Sequence, residues 1–292
     1  MSRVTRRRAV TRYGADGPAR TREDVLAVEE PLQIRVGTAV DPTGPGLDLT
    51  VTMRTPGDDF DLVAGFLVGE GIVRGAQDLP SMRYCTGTDA QGRQTYNVIE
   101  ATLAGGASLP VGAQRRVTTT SACGICGTTS IDDVRKSSPP RPPDPTSVEL
   151  SVLLGLPEAL RAEQSVFART GGVHAAGVFD RQGRLLCLRE DVGRHNAVDK
   201  VIGWALREGR LPLAGTVLQV SGRASFELVQ KAHLGGIPIL AAVGAPSSLA
   251  VELADSVGLT VVGFSRGSSL NAYTHAHRVE DRGTAWTSPT SP

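Results

Sequence analysis

Two cysteines separated by two residues have the clearest capacity for chemistry in this sequence. Cys123 and Cys126 lie in the segment SACGICGTT, and a glycine follows each of them. Glycine adds no side-chain bulk and lets the backbone bend, so both sulfur atoms stay approachable. The small polar residues around the pair predict a surface loop, in which a thiolate can act as a nucleophile or as a metal ligand.

The spacing leaves three interpretations of the pair open. A zinc site needs two more nitrogen or sulfur ligands, but the sequence has no second CxxC, and His275 and His277 stand at the far end of the chain. A redox-active dithiol is the second interpretation, although the strand, CxxC and helix order of thioredoxin-like proteins is not evident here. The third is a nucleophilic thiolate that carries sulfur as a persulfide.

Three polar clusters follow predicted strands in the C-terminal half. REDVGRHNAVDK begins at Arg189, SGRASFELVQK at Ser221 and GFSRGSSLNAYT at Gly263. Open α/β sheets bind ligands beyond the carboxyl ends of their strands, where helix N-termini attract phosphate. We therefore expect one ligand-binding edge that carries three guanidinium groups, those of Arg194, Arg223 and Arg266.

His195 stands at the start of a predicted helix in the first of these clusters. It is either a general base or a helix-terminal histidine that is hydrogen-bonded to Asp191. His174, His233 and His275 have no partner pattern and are predicted to be structural. Cys85 and Cys187 are predicted to be ordinary core or strand residues.

Composition excludes several classes of protein. The chain has 292 residues, and its 31 basic and 30 acidic side chains give a net charge of +1, so it has no broad field for nucleic acid. The most apolar stretch, residues 236–254, is interrupted by two prolines and a glutamate and cannot span a bilayer. Four cysteines do not make a disulfide scaffold, so a reducing cytoplasm is expected.

Hydrophobic patterning divides the chain into five segments. Residues 1–24 are predicted to be a flexible basic arm, 25–134 an α+β region that ends in the CxxC loop, 135–147 a Pro-rich linker, 148–280 an α/β domain and 281–292 a tail. In the first region, strands are predicted near 32–36, 47–53, 94–103 and 116–120, with a helix beginning at Asp58 or Asp59. Beyond the linker, helices are predicted over 148–164, 194–208, 224–234 and 247–257. Strands are predicted over 172–179, 184–188, 216–220, 237–243 and 259–264.

Together these motifs resemble the FdhD family of formate dehydrogenase accessory sulfurtransferases. The resemblance rests on SACGICG with TTSIDDV, EDVGRHNAVDKVIG, SGRASFELVQK, the GIPIL and AVGAPSSLAVELA run, and GFSRGSSLNAYT, in that order. It implies a cytidine-deaminase-like, three-layer α/β C-terminal domain with a smaller α+β N-terminal domain, usually as a homodimer. Deaminase chemistry is not implied, because Ala122 replaces the proline of P-C-x-x-C and His195 is not followed by the glutamate of H-x-E.

The resemblance also implies a function. Family members accept sulfane sulfur from a cysteine desulfurase in the cytoplasm and pass it to the Mo-bis(molybdopterin guanine dinucleotide) cofactor, which formate dehydrogenase needs for activity. Cys123 matches the persulfide cysteine of the family, and Cys126 matches its partner. The stretch that contacts the cofactor is matched by Phe264, Ser265, Arg266, Gly267, Ser268 and Ser269. No resident metal, nucleic acid or membrane is implied.

Two positions depart from the family pattern. Thr128 stands where relatives often carry lysine, so stabilisation of the thiolate has to come from a helix N-terminus or a bound partner. Ser269 stands where relatives often carry a basic residue, which leaves Arg266 as the main cation. The alternative from another functional class is a non-catalytic chaperone for the cofactor, whose CxxC binds zinc or forms a regulatory disulfide.

Overall fold

The structure is a computed structural model. It describes residues 4–15, 17–38, 46–88, 92, 94–104, 134 and 144–281. Cys123 and Cys126 lie outside the described residues, as do the strand predicted at 116–120, most of the Pro-rich linker and nearly all of the predicted tail. What the sequence predicts for those segments stays a prediction.

An antiparallel hairpin occupies the segment that the sequence predicts to be a flexible arm. Strand β1 (Thr5–Gly14) pairs with β2 (Gly17–Ala27) in continuous register from Thr5 opposite Ala27 to Arg12 opposite Arg20. The many arginines in this segment suggested a solvated tail. Between them, however, stand threonine, valine and tyrosine, which favour strands, and glycines flank the turn.

The next segment forms a four-stranded sheet with one helix. The strands are β3 (Glu30–Thr38), β4 (Leu47–Arg54), β5 (Ser81–Tyr84) and β6 (Val98–Leu103), in the order β4-β3-β6-β5. Leu32, Ile34 and Val36 alternate into the core, which confirms the predicted two-residue period. Helix α1 (Asp59–Gly69) begins where the sequence predicts it.

A mixed six-stranded sheet forms the centre of the C-terminal half. Its strands are β8 (His174–Asp180), β9 (Leu185–Asp191), β10 (Thr216–Val220), β11 (Ile239–Ala242), β12 (Thr260–Gly263) and β13 (Asn271–Ala272), in the order β13-β12-β11-β10-β8-β9. β10, β11 and β12 are parallel, whereas β8 is antiparallel to both of its neighbours. β9 therefore runs in the same direction as β10, β11 and β12. Beside this sheet, β7 (Val148–Glu149) pairs with β14 (Val279–Glu280).

Helices lie on both faces of this sheet. They are α2 (Leu150–Ala162), α3 (Ser165–Thr170), α4 (Arg194–Arg207), α5 (Phe226–Leu234) and α6 (Ser248–Ser256), so the helices predicted along this half are confirmed. Apolar side chains of α2 pack with one face of the sheet, and those of α4, α5 and α6 pack with the other. The architecture is a layered α/β fold, as predicted. None of the described helices is both long enough and apolar enough to cross a membrane.

One apolar core joins the two halves of the chain. Buried residues of β3, β6 and α1 belong to the same cluster as those of α4, α5 and the six-stranded sheet. The closest contact joins α1 to α4, where a Cβ atom added to Gly65 would lie 1.8 Å from the carbonyl oxygen of Asp199. A Cβ atom added to Gly203 would lie 1.8 Å from the carbonyl oxygen of Asp61. The two helix backbones can meet only because neither glycine has a side chain.

Candidate ligand-binding edge of the sheet

The three polar clusters predicted from the sequence meet at one edge of the six-stranded sheet. β9, β10 and β12 run in the same direction, so the residues that follow them share the carboxyl edge. Two glycines let these loops approach each other. A Cβ atom at Gly222 would lie 3.7 Å from Cδ of Arg194, and one at Gly244 would lie 2.9 Å from Cγ of Arg223. The expected convergence of the clusters is confirmed.

His195 has a different partner from the one expected. Its Nε2 lies 3.0 Å from Oε2 of Glu227 and 3.2 Å from Oγ of Ser225, both from the start of α5. Of the two interpretations of His195, the one in which it bonds to Asp191 is wrong, because that carboxylate is fully buried and is occupied by other donors. Glu227 belongs to the SGRASFELVQK motif, which by itself predicts no role for this side chain. The one indication of a role for Glu227 was its position in the first turn of α5, within a polar cluster that follows a strand end.

Asp191 organises the turn that leads into α4. Its Oδ1 accepts from the backbone N–H of Gly193 at 2.8 Å and from Nδ2 of Asn196 at 3.0 Å. Its Oδ2 accepts from the backbone N–H of Thr55 at 3.1 Å and lies 2.8 Å from Nζ of Lys200. A buried ion pair with all these hydrogen bonds fixes geometry more than it adds stability. Asp191 therefore ties the start of α4 to the segment after β4.

The segment Phe264–Ser269 begins with a strained backbone. Phe264 has a φ of 51°, in the left-handed region that costs a bulky residue conformational energy. Its N–H donates to the carbonyl of Gly244, and that of Ser265 donates to the carbonyl of Ala242. These bonds hold the segment against the end of β11. The Phe264 ring is exposed, and the guanidinium of Arg266 lies 5.6 Å from its centroid.

Five of the six residues in this segment are exposed at the carboxyl edge. Ser265 is the exception, because it is fully buried and its hydroxyl has no hydrogen-bond partner among the described residues. Arg266 donates from Nε to the carbonyl of Val243, and its backbone N–H donates to the carbonyl of Ser269. The segment thus presents an aromatic face, a cation and two serine hydroxyls, while Ser265 lies beneath them.

A cavity of about 610 Å³ lies beside the same edge. Its residues come from α2, α3 and the loops after β9, β10 and β11, and include Leu160, Gln164, Phe167, His174, Ser221 and Val243. His174 is half-buried, and burial together with the nearby positive charge of Arg194 lowers its pKa. A neutral imidazole therefore faces this cavity near pH 7. The sequence predicts a structural role for His174, since the cavity that this side chain faces forms only by tertiary packing and leaves no local pattern.

Cys187 and the histidine pair lie apart from this edge. Cys187 is buried in β9, and burial raises the pKa of its thiol to about 12, which confirms the expected core role. The carbonyl of His275 accepts from Thr260 at the start of β12, so His275 and neighbouring His277 lie at the amino edge. Within the described part of the chain, no three His, Cys, Asp or Glu side chains cluster as metal ligands.

These features define the class of protein. It is an α/β protein whose polar loops converge at the carboxyl edge of a mixed sheet, which is the place where such sheets bind ligands. The sequence model of the FdhD/NarQ family matches residues 27–280. The chain therefore belongs to the FdhD/NarQ family, and the resemblance found in its motifs is confirmed.

Relatives and a solved structure are similar over nearly the whole chain. A sulfur carrier protein FdhD of Nocardia farcinica is 57% identical over 95% of this chain and 95% of its own length. The protein of the same name from Streptomyces avermitilis is 53% identical over 98% and 99%. A crystal structure of a formate dehydrogenase accessory protein from Desulfotalea psychrophila has a TM-score of 0.71 at 22% identity and covers 95% of this chain and 100% of that one. This last likeness supports the fold.

Proposed function

We propose that this protein is a cytoplasmic sulfurtransferase that matures formate dehydrogenase. It accepts sulfane sulfur from a cysteine desulfurase as a persulfide on Cys123 and delivers it to Mo-bis(molybdopterin guanine dinucleotide). The observation that carries this proposal is the 57% identity, over 95% of both chains, with a protein named as a sulfur carrier. The name of the Desulfotalea psychrophila protein supports the link to formate dehydrogenase.

Sulfur acceptance is a thiol exchange. The thiolate of Cys123 attacks the outer sulfur of a persulfide on the donor enzyme. The S–S bond of the donor breaks, a new S–S bond forms on Cys123, and the donor leaves as a thiolate. Charge is conserved, and no external oxidant is needed.

Sulfur release uses the second cysteine of the pair. The thiolate of Cys126 attacks the inner sulfur of the Cys123 persulfide and forms a disulfide between the two cysteines. The outer sulfur leaves as hydrosulfide with the bonding electron pair and becomes a ligand of the acceptor's metal. A cellular dithiol then reduces the disulfide, which restores both thiols for another cycle.

The carboxyl edge has the side chains that a large anionic dinucleotide requires. The exposed Phe264 ring offers a stacking surface for a heterocycle. The guanidinium of Arg266 can pair with phosphate oxygens, and the exposed hydroxyls of Ser268 and Ser269 can donate hydrogen bonds. Because the Ser265 side chain is buried, we assign it the role of supporting this segment.

We also propose a cytidine-deaminase-like fold for the C-terminal half and a homodimer as the working form. The support for the fold is the order β9-β8-β10-β11-β12, with helices after β9, β10 and β11. Zinc deaminases are characterised by an H-x-E glutamate and a P-C-x-x-C pair of metal ligands. Here the starts of α4 and α5 carry His195 and Ser225. This arrangement has neither the H-x-E glutamate nor the P-C-x-x-C pair.

Intact-protein mass spectrometry tests the sulfur carrier. After incubation with a cysteine desulfurase and free cysteine, we expect the protein to gain one sulfur atom that reduction removes. Cys123→Ala should abolish the gain, whereas Cys85→Ala, which removes a cysteine outside the pair, should leave it unchanged. Zinc bound through both cysteines without sulfur gain, or full activation of formate dehydrogenase by Cys123→Ala, would establish the non-catalytic chaperone instead.

A further inference from the structure

The N-terminal hairpin has two chemically different faces. Residues directly opposite each other in an antiparallel pair point to the same side, and successive residues alternate. One face, which we call the arginine face, carries Arg6, Arg8, Val10, Arg12, Arg20, Arg22, Asp24 and Leu26. The opposite face carries Arg7, Ala9, Thr11, Thr21, Glu23 and Val25. Ion pairs agree with this assignment, since Arg22 contacts Asp24 at 3.9 Å and Arg7 contacts Glu23 at 2.9 Å.

Positive charge accumulates on only one of these faces. The arginine face has five guanidinium groups and one carboxylate, whereas the opposite face has one of each. Arg12 stands directly opposite Arg20, and like charges in that position destabilise a strand pair. Among the described residues, no carboxylate lies within ion-pair distance of Arg6, Arg8, Arg12 or Arg20. The hairpin therefore carries a cost that an anionic surface would relieve.

The hairpin also lacks support from the rest of the chain. Most of its side chains are exposed, and β1 and β2 form a two-stranded sheet of their own. A bond from the N–H of Val28 to the carbonyl of Val4 closes its base, and β2 contacts the body there, where Ala27 approaches Gly172 beside α3. Isolated two-stranded hairpins are at best marginally stable in water. A partner that covers one face would stabilise it.

We propose that the arginine face docks onto an acidic surface of the protein that donates sulfur, an inference that rests on the proposed function. The base of the hairpin lies beside α3, and α3 also lines the cavity at the ligand-binding edge. A docked donor would thus be held near the part of the molecule where sulfur is used. Charge complementarity raises association rates, which suits a donor that must bind and leave in every cycle.

Other occupants fit the hairpin less well. A second copy would bring two arginine faces together, and their charges would repel. Single-stranded nucleic acid needs aromatic rings between the cations for base stacking. None of the paired residues on the arginine face is aromatic, and Tyr13 lies outside the continuous pairing, at the register shift beside the turn. Val10 and the exposed Leu26 stand between the arginines, and mixed apolar and arginine surfaces of this kind are typical of protein interfaces.

A pair of matched double variants tests the docking surface. The first variant combines Arg12→Thr with Arg20→Thr and so creates a threonine pair like that of Thr11 and Thr21. It removes two charges from the arginine face and keeps the propensity of the chain to form strands. Arg74→Thr with Arg181→Thr removes two exposed arginines outside the hairpin. The purified cysteine desulfurase of the same organism is the probe, and surface plasmon resonance at about 50 mM and about 300 mM NaCl measures binding.

We expect the hairpin variant to weaken the Kd about tenfold at low salt, mainly through a slower association rate. The control variant should bind as the original protein does, and high salt should remove the difference. Equal loss in both variants, or no loss in the hairpin variant, would overturn the proposal. The docking proposal would also be overturned if the protein bound a duplex DNA or anionic vesicles more tightly than it bound the desulfurase, and if only the hairpin variant lost that binding.

A second donor separates failure of this inference from failure of the proposed function. Inorganic polysulfide can load a thiolate without protein docking, so both variants should gain sulfur from it as the original protein does. Docking is supported if the hairpin variant gains sulfur normally from polysulfide but poorly from the desulfurase, while the control variant gains it normally from both. If the original protein gains sulfur from neither donor, the sulfurtransferase proposal fails, while the desulfurase binding data still decide whether the arginine face docks.

Discussion

At the scale of single residues, burial separates the cysteines by chemistry. Cys187 lies inside β9, where desolvation favours the neutral thiol. Only a thiolate is a good nucleophile, so a thiol with a pKa of about 12 contributes almost none at neutral pH. Any sulfur or alkyl group gained by the native protein should therefore be found on other cysteines.

This difference gives a test by alkylation. With iodoacetamide at about pH 8, we expect Cys187 to stay unmodified in the native protein and to react fully once the chain is unfolded. Peptide mapping by mass spectrometry measures both. Labelling of Cys187 in the native state at a rate like that of an unfolded control would contradict its buried position.

The residue scale also shows what sequence can predict about the site. The meeting of Arg194, Arg223 and Arg266 at one edge was predictable, because the rule that ligands bind at carboxyl edges depends only on element order. The partner of His195 was not predictable. Asp191 lies only one helical turn away in the chain, but its carboxylate is already bonded to Asn196 and Lys200. Competition for a buried carboxylate depends on tertiary contacts that no local pattern contains.

At the scale of elements, the contact between α1 and α4 depends on glycine. The sequence predicted both helices, but nothing in their periodicity indicated that Gly65 and Gly203 lie at a crossing. This crossing also fixes α4, whose first turn carries Arg194 and His195. The helix that supplies part of the candidate site is therefore held in place by a helix from the other half of the chain.

Substitution at the crossing should separate the two helices. A Cβ atom at Gly65 would overlap the Asp199 carbonyl, so we expect Gly65→Ala to lower the free energy of unfolding by about 3 kcal/mol. The matched control is Gly155→Ala in α2, whose added Cβ atom would meet nothing within 4 Å. It should raise stability by about 0.5 kcal/mol. Urea denaturation measures both, and equal effects would contradict the close packing.

At the scale of the whole molecule, one core runs through two segments that the sequence predicts to be separate. Composition shifts at the Pro-rich segment indicated a boundary, and the elements on either side were largely predicted. The shared core was not, because it depends on contacts between residues that are distant in the chain. The hairpin was not, because its many arginines indicated a solvated arm despite the strand-favouring residues between them. Hydrophobic pattern gives the buried face of an element but does not identify the surface that covers it.

A shared core predicts a single unfolding transition. Because α1 packs into the same cluster as α4 and the six-stranded sheet, neither segment can lose its structure without exposing apolar surface of the other. Denaturation followed by far-UV circular dichroism and by alkylation of Cys187 should give coincident midpoints. Two resolved transitions, with Cys187 becoming reactive only in the second, would show that the segments fold independently.

The hairpin stands in contrast to this shared core. It contacts the body near its base, beside α3, and the part of the chain that matches the family begins at residue 27, where β2 ends. Mutations in the hairpin are thus largely uncoupled from the packing that holds the carboxyl edge. Selection can change the charges of such an appendage, and with them the choice of partner, while the sulfur chemistry and the stability of the fold remain as they are.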